Sequence, residues 1–279
     1  MTIGEFNSKF RSDLTELYTA QEVSSLFKII LEELLSFDIT KFYLKPDYKL
    51  TNIELEKINK FTNELKMGKP FQYIKGETKF YGYKFYVNNS VLIPRVETEG
   101  LVDWILSDNK EPKKNVIDFC SGSGCIAVTI KVKRKKWDVF ALENSKKAID
   151  LAKRNSSRYS VNINYVHADI FSWEKYDVID IMISNPPYVV ESQKKFMKAN
   201  VLNFEPEKSI FVSDENPLIF YERIFDISKT KLKAGGLIYF EINPKFKNLL
   251  ISLSKKYQFS NHELKKDIFK RNRYIKFQK

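Results

Sequence analysis

The chain has 279 residues, room for one large domain or two modest ones, and 43% hydrophobic with 29% charged residues is an ordinary globular balance. Its apolar runs fall short of the ~18–20 residues of a membrane helix, and MTIGEFNSKFRSDL lacks the apolar stretch of a signal peptide. Two cysteines (Cys120, Cys125) and two histidines (His167, His262) argue against a disulfide framework and a zinc site, so the expectation is a cytoplasmic protein without a metal.

The net charge of +12 points to anionic partners such as nucleic acid or the ribosome, but also fits a Lys-, Ile- and Asn-rich composition with no such partner. Up to about residue 75 the chain reads helical. TAQE (Thr19 to Glu22) and TNIE (Thr51 to Glu54) both fit the capping box. Ile53, Ile58, Phe61 and Leu65 follow near helical spacing, and Gly68 with Pro70 supplies the stop. TKFYGYKFYVNNSVLI is rich in aromatic and β-branched residues around Gly82, and predicts a hairpin. Its ring cluster (Phe80, Tyr81, Tyr83, Phe85, Tyr86) suits packing more than base stacking. ETEGLVDWIL predicts a helix. The expected domains are therefore 1–75, a hairpin linker over 76–92, and 93–279.

From Asn115 strands and helices alternate. VIDFC, DVFALE, INYVHA, DIMIS and GLIYFEI predict strands, with CIAVTIKV, SKKAIDLAKRN, NPLIFYERIFDISKTKL and PKFKNLLISLSKKY as helices. This is the pattern of an α/β fold with a mostly parallel sheet covered on both faces. HELKKDIFKRNRYIKFQ predicts two more strands, one of them an antiparallel edge. The basic run Lys131 to Lys136 reads as a solvated helix end, with a partner contact as the competing reading. Cys125 falls in a first helical turn, which can lower a thiol pKa, but a small buried thiol is the better reading. His167 reads as a packed or surface histidine.

In VIDFCSGSGCIAV a strand meets a turn and a helix start. Gly122 and Gly124 allow the backbone to approach a ligand, and Ala127 stands at the third position of the dinucleotide pattern, where Ala is an allowed variant. About twenty residues on, Glu143 ends the next strand, placed either for ribose hydroxyls or for the dipole of the following helix. Asp169 follows the third strand, as a ligand group or as a turn former. Together these resemble the class I S-adenosylmethionine-dependent methyltransferases. The resemblance implies a cofactor loop of Asp118, Cys120, Ser121, Gly122, Ser123 and Gly124. It also implies Glu143 for the ribose and Asp169 with Ile170 beside the adenine.

ISNPPYVV ends the fourth strand on Asn185, Pro186, Pro187 and Tyr188. An amide or exocyclic amine is a poor nucleophile because its lone pair is delocalised. The Asn185 side-chain oxygen and the Pro186 carbonyl can accept its two N–H bonds and favour a pyramidal nitrogen. The prolines fix φ and hold these acceptors ready, the Tyr188 ring can pack on a planar amide or base, and Asn185 also borders the cofactor. A polar turn closing the strand is the bland reading.

The corner alone does not separate adenine, guanine and glutamine as acceptors. GKPFQYIKGETKFYGYKFYVNNSVLIPRVETEGLVDWIL, FCSGSGCIAV, ISNPPYV, NFEPEKSIFVSDENPLIFYERIF and LKAGGLIYFEI closely resemble the release-factor glutamine methyltransferases, the HemK/PrmC family. The resemblance runs from about Phe71 to the end of the chain. It implies a helical N-terminal domain, a hairpin linker and a seven-stranded, Rossmann-like catalytic domain. It further implies S-adenosyl-L-methionine as cofactor and the Gly-Gly-Gln loop of peptide chain release factors as substrate, with a monomer and ribosome proximity expected. Five positions depart from the family pattern. Val96 replaces a Pro, Cys120-Ser121 a Gly-Thr, Glu143 an Asp, and Asn243 a Gly, where Asn can still adopt a left-handed conformation. Amino-methylation of DNA or RNA, and a non-catalytic assembly factor that binds the cofactor, are the alternatives.

Overall fold

The computed structural model describes residues 1–174, 178–259 and 261–279. Contacts divide the chain into two compact units, Met1–Ile74 with Ala199–Phe204, and Lys75–Lys198 with Glu205–Lys279.

The first unit is helical: α1 (Ile3–Leu14), α2 (Ala20–Ile29, continued by a π-helical turn Ile30–Leu34), α3 (Ile39–Leu44), α4 (Asn52–Lys66) and the start of α5 (Phe71–Lys75). The capping boxes at Thr19 and Thr51 form as expected, and a third forms at Thr2 with Glu5. Each satisfies two backbone N–H groups that a helix start leaves open. The core gathers Phe6, Phe10, Phe27 and Phe42 with Ile58, Phe61 and Leu65. Burying each such side chain contributes about 1.5–3 kcal/mol before entropy. Ile53 departs from the expected stripe and is 68% exposed. It lies five positions before Ile58, an offset that turns it well away from the buried face.

The second unit opens with the hairpin β1 (Glu77–Phe80) and β2 (Tyr83–Tyr86). Tyr81 and Gly82 both take positive φ (51° and 77°), the two-residue turn whose twist matches the strands. After α6 (Val96–Asp108) come β3 (Asn115–Phe119), α7 (Cys125–Lys133), β4 (Asp138–Glu143), α8 (Lys146–Arg158), β5 (Asn164–His167) and β6 (Ile179–Ser184). The short β7 (Val189–Val190) pairs with β8 (Phe211–Val212), and between them lies α9 (Ala199–Phe204), which belongs to the first unit. Then follow α10 (Ile219–Lys231), β9 (Leu232–Glu241), α11 (Lys247–Lys256), β10 (Asn261–Lys266) and β11 (Asn272–Gln278).

Seven strands form one sheet in the order β10-β11-β9-β6-β3-β4-β5. The pairs from β9 to β5 are parallel, while β11 is antiparallel to both neighbours. The antiparallel strand is thus not the edge, as expected, but lies one in from it. β11 inserts between β9 and β10 instead of adding outside them. Alternation along the strands builds two cores. Val116, Val139, Ile181 and Tyr239 face α6, α7 and the hairpin's Phe80 and Phe85, while Ile117, Leu142, Met182 and Phe240 face α10 and α11.

The chain runs from β3 outward to β5, then returns to the other side of β3 as β6. In open α/β sheets this reversal leaves a crevice at the carboxyl ends of the two central strands.

Candidate active site

Asp118 pairs with Ile183 and Phe119 with Ser184, so the glycine loop leaving β3 lies beside Asn185 leaving β6. Glu143 pairs with His167 one strand further on. The expected residues therefore stand at the carboxyl ends of four adjacent parallel strands. Ser184 Oγ donates to the Phe119 carbonyl at 2.8 Å and locks the two central ends together.

Three loop residues take positive φ: Cys120 (59°), Gly122 (52°) and Gly124 (75°). Cys120 accepts a left-handed conformation that a glycine would adopt without strain. A Cβ at Gly122 would meet nothing within 4 Å, whereas one at Gly124 would come within 3.0 Å of Ala152 Cβ. Gly122 thus faces open space and Gly124 faces α8. The Glu143 carboxylate accepts from Gly122 N and Ser145 N, both at 2.9 Å, so it organises the loop and the start of α8 together. Ser123 is buried, and its carbonyl accepts from Asn155. Asp118 is buried with both carboxylate oxygens lacking a hydrogen-bond partner, as is the Ser121 hydroxyl. Burial holds the Asp118 carboxyl well above the usual range against the pull of the nearby Ala127 backbone N–H, with the charge of Glu143 adding to the rise. Asp169 is exposed and accepts from Phe171 N at 3.0 Å, a turn that leaves Ile170 buried beside it.

Pro186 and Pro187 are buried, and Asn185 and Tyr188 are half-buried at either end of the corner. Asn185 Nδ2 donates to Thr98 Oγ1 at 3.2 Å, and Thr98 Oγ1 donates to Glu241 Oε2 at 2.7 Å. The Tyr188 hydroxyl donates to Glu241 Oε1 at 3.0 Å and accepts from Arg273 at 3.2 Å. Arg273 also donates to Asp267 at 3.2 Å. Burial raises the Glu241 pKa against the opposing pull of Thr98 and Arg273. Burial and then Glu241 push the Tyr188 phenol up, so it remains a donor.

Sequence reasoning missed Thr98, Glu241 and Arg273. A usable signal was present, because Glu241 is a carboxylate in the apolar run GLIYFEI, and such a group is buried only with partners. It also missed Glu205, which accepts from Ile93 N at 3.1 Å and Arg95 at 2.6 Å and so joins NFEPE to IPRVETE. Asn243 does not use the left-handed conformation open to it. Its φ is −73°, extended and not left-handed, because its side chain caps the next turn by accepting from Lys245 N and donates to the Tyr188 carbonyl.

The other candidates take structural places. Burial pushes the Cys125 thiol up to about 12, against the lowering that a helix start can give, and His167 donates to the Asn144 carbonyl. In the basic run, Lys131 caps the Trp137 carbonyl, Lys133 lies over the Tyr81 and Tyr83 rings, and Arg134 holds the Leu106 and Asn109 carbonyls.

Among solved structures, the chain is similar to a methyltransferase from Pyrococcus furiosus, with a TM-score of 0.53 over 71% of this chain and 90% of that one at 16% identity. It is also similar to the hMettl16 catalytic domain in complex with MAT2A 3'UTR hairpin 6, with a TM-score of 0.55, 71% and 75% coverage and 16% identity. The fold is that of the class I methyltransferases. Residues 98–205 match the family described as Methyltransferase small domain, and residues 8–76 match the PrmC N-terminal domain. The chain is 39% identical to the release factor glutamine methyltransferase of Flavobacterium psychrophilum over 99% of both chains. It is 35% identical to that of Bacteroides thetaiotaomicron over 95% of this chain and 96% of that one. The protein belongs to the release factor glutamine methyltransferase family.

Proposed function

We propose that this enzyme transfers a methyl group from S-adenosylmethionine to the side-chain nitrogen (N5) of the glutamine in the Gly-Gly-Gln loop of peptide chain release factors. Its work would be cytoplasmic, near the ribosome, and done as a monomer. The observation that carries the reading is the Asn185 carboxamide. Its nitrogen is spent on Thr98, and its oxygen has no partner among the described residues, beside the rigid Pro186-Pro187 pair.

The residues present fit the cofactor. Gly122 faces open space, Asp118 keeps two buried oxygens with no well-formed hydrogen bond, and each Glu143 oxygen has a second lone pair left for a ribose hydroxyl. Cys120, Ser121, Ser123 and Gly124 would shape the loop, with Asp169 and Ile170 beside the adenine. The cofactor supplies a methyl group carried on a sulfonium. Asn185 Oδ1 and the Pro186 carbonyl would accept the two N–H bonds of the substrate amide and free the nitrogen lone pair. Holding that nitrogen about 3–3.5 Å from the methyl supplies much of the acceleration. The proton leaves to solvent after transfer, and no side-chain nucleophile is required. The Tyr188 ring would pack on the amide plane while its hydroxyl is held by Glu241 and Arg273.

The test is methyl transfer from labelled S-adenosylmethionine to a purified bacterial release factor, beside its Gly-Gly-Ala variant, DNA and RNA. The reading expects label on the native factor alone. Label on nucleic acid alone would overturn it and favour the amino-methyltransferase of nucleic acids.

A further inference from the structure

An amide such as Asn185 presents an oxygen or a nitrogen to the crevice depending on a half-turn of its last torsion, and the two orientations are nearly isosteric. Only the oxygen can accept an N–H bond. The identities of the groups behind it decide which way it points. Glu241 offers both carboxyl oxygens as acceptors, Oε1 to Tyr188 and Oε2 to Thr98, which gives its single hydroxyl proton to it at 2.7 Å. Thr98 Oγ1 then has only lone pairs left for Asn185, which must answer with its NH2 group, and does so at 3.2 Å. The other Glu241 oxygen imposes the same order on the far end of the corner. Tyr188 donates to it and accepts from Arg273, which carries no acceptor.

We infer that Thr98 and Glu241 are positioning residues, which through one fixed direction of hydrogen bonding turn the Asn185 oxygen toward the acceptor nitrogen. The inference rests on the proposal that Asn185 holds the substrate amide. Neither residue touches the substrate. Thr98 lies in the first turn of α6 and Glu241 at the carboxyl end of β9, so rigid elements carry both.

Thr98→Val keeps the shape and removes the hydroxyl, so the amide is free to turn. Thr98→Ser restores the hydroxyl. Glu241→Gln offers one acceptor where two donors call for one each. On a release factor that the wild type methylates, Thr98→Val and Glu241→Gln are expected to lower kcat about 10- to 100-fold. Cofactor Kd by calorimetry and Tm should stay near wild type, and Thr98→Ser should remain within about threefold of wild-type kcat. A Thr98→Val enzyme with wild-type kcat would overturn the inference. So would a kcat loss matched by loss of cofactor binding or Tm, because the residue would then be structural. If Thr98→Val does not fold, Glu241→Gln carries the same comparison alone. Failure of the functional proposal reads differently, since the wild type itself would leave the factor unlabelled.

Discussion

The Asn155 carboxamide grips the backbone of Tyr86 from both sides, accepting from its N–H at 2.7 Å and donating to its carbonyl at 3.1 Å. The same nitrogen donates to the Ser123 carbonyl at 2.9 Å. One fully buried side chain on α8 therefore ties the hairpin to the glycine loop. Arg154 and Arg158 add to this from the same helix, each 4.7 Å from the Tyr86 ring centre.

Asn155→Ala strands buried backbone groups on both segments, at about 1–3 kcal/mol for each that water does not reach. The expected result is a fall in Tm of roughly 5 °C or more, with weaker cofactor binding because the loop loses its support. An unchanged melting curve would show that the hairpin docks without this clamp.

Asn185→Ala removes the acceptor and leaves the glycine loop alone. Turnover should fall about 10²- to 10³-fold, with cofactor Kd by calorimetry nearly intact. Loss of cofactor binding in this variant would contradict the role assigned to Asn185.

Asp118 predicts a reversed pH response. Its folded-state pKa lies above the unfolded value because burial, with Glu143 adding to it, outweighs the opposing pull of the Ala127 backbone N–H. Above the unfolded pKa the charge therefore opposes folding, and the penalty is relieved as pH falls. Asp118→Asn should raise the Tm of the cofactor-free protein at pH 7, with a smaller gain near pH 4, and should weaken cofactor binding. A lower Tm at pH 7 would be the contrary result.

The two loop glycines should separate. At Gly124, alanine combines a φ of 75° with a 3.0 Å approach to Ala152, whereas at Gly122 it meets only open space at a φ of 52°. Left-handed alanine costs about 1–2 kcal/mol at either site. Gly124→Ala should lower Tm more, and Gly122→Ala should cost more in cofactor affinity than in stability. Equal melting losses would contradict the contact with Ala152.

Local signals were legible wherever they acted locally. The Thr51 box, the Tyr81-Gly82 turn and the strand–glycine–helix step after Asp118 all depend on neighbours a few residues away, and all form. The class of the sheet followed from alternation. Less legible was whatever depends on pairing across long separations. Thr98 and Glu241 meet over 143 positions and Arg95 and Glu205 over 110, and no periodicity marks such partners. The insertion of β11 was hidden for the same reason, since a strand's sequence states its faces but not its neighbours.

That insertion has a kinetic consequence. β9 receives its second neighbour only from a strand that begins about thirty residues later, and Arg273, which braces Tyr188, rides on that strand. The parallel half of the sheet shares its two cores with Tyr274, Ile275 and Phe277 of that same strand. One late strand thus fills both cores and braces the Tyr188 corner, so a slow, long-range pairing completes the sheet and the site together.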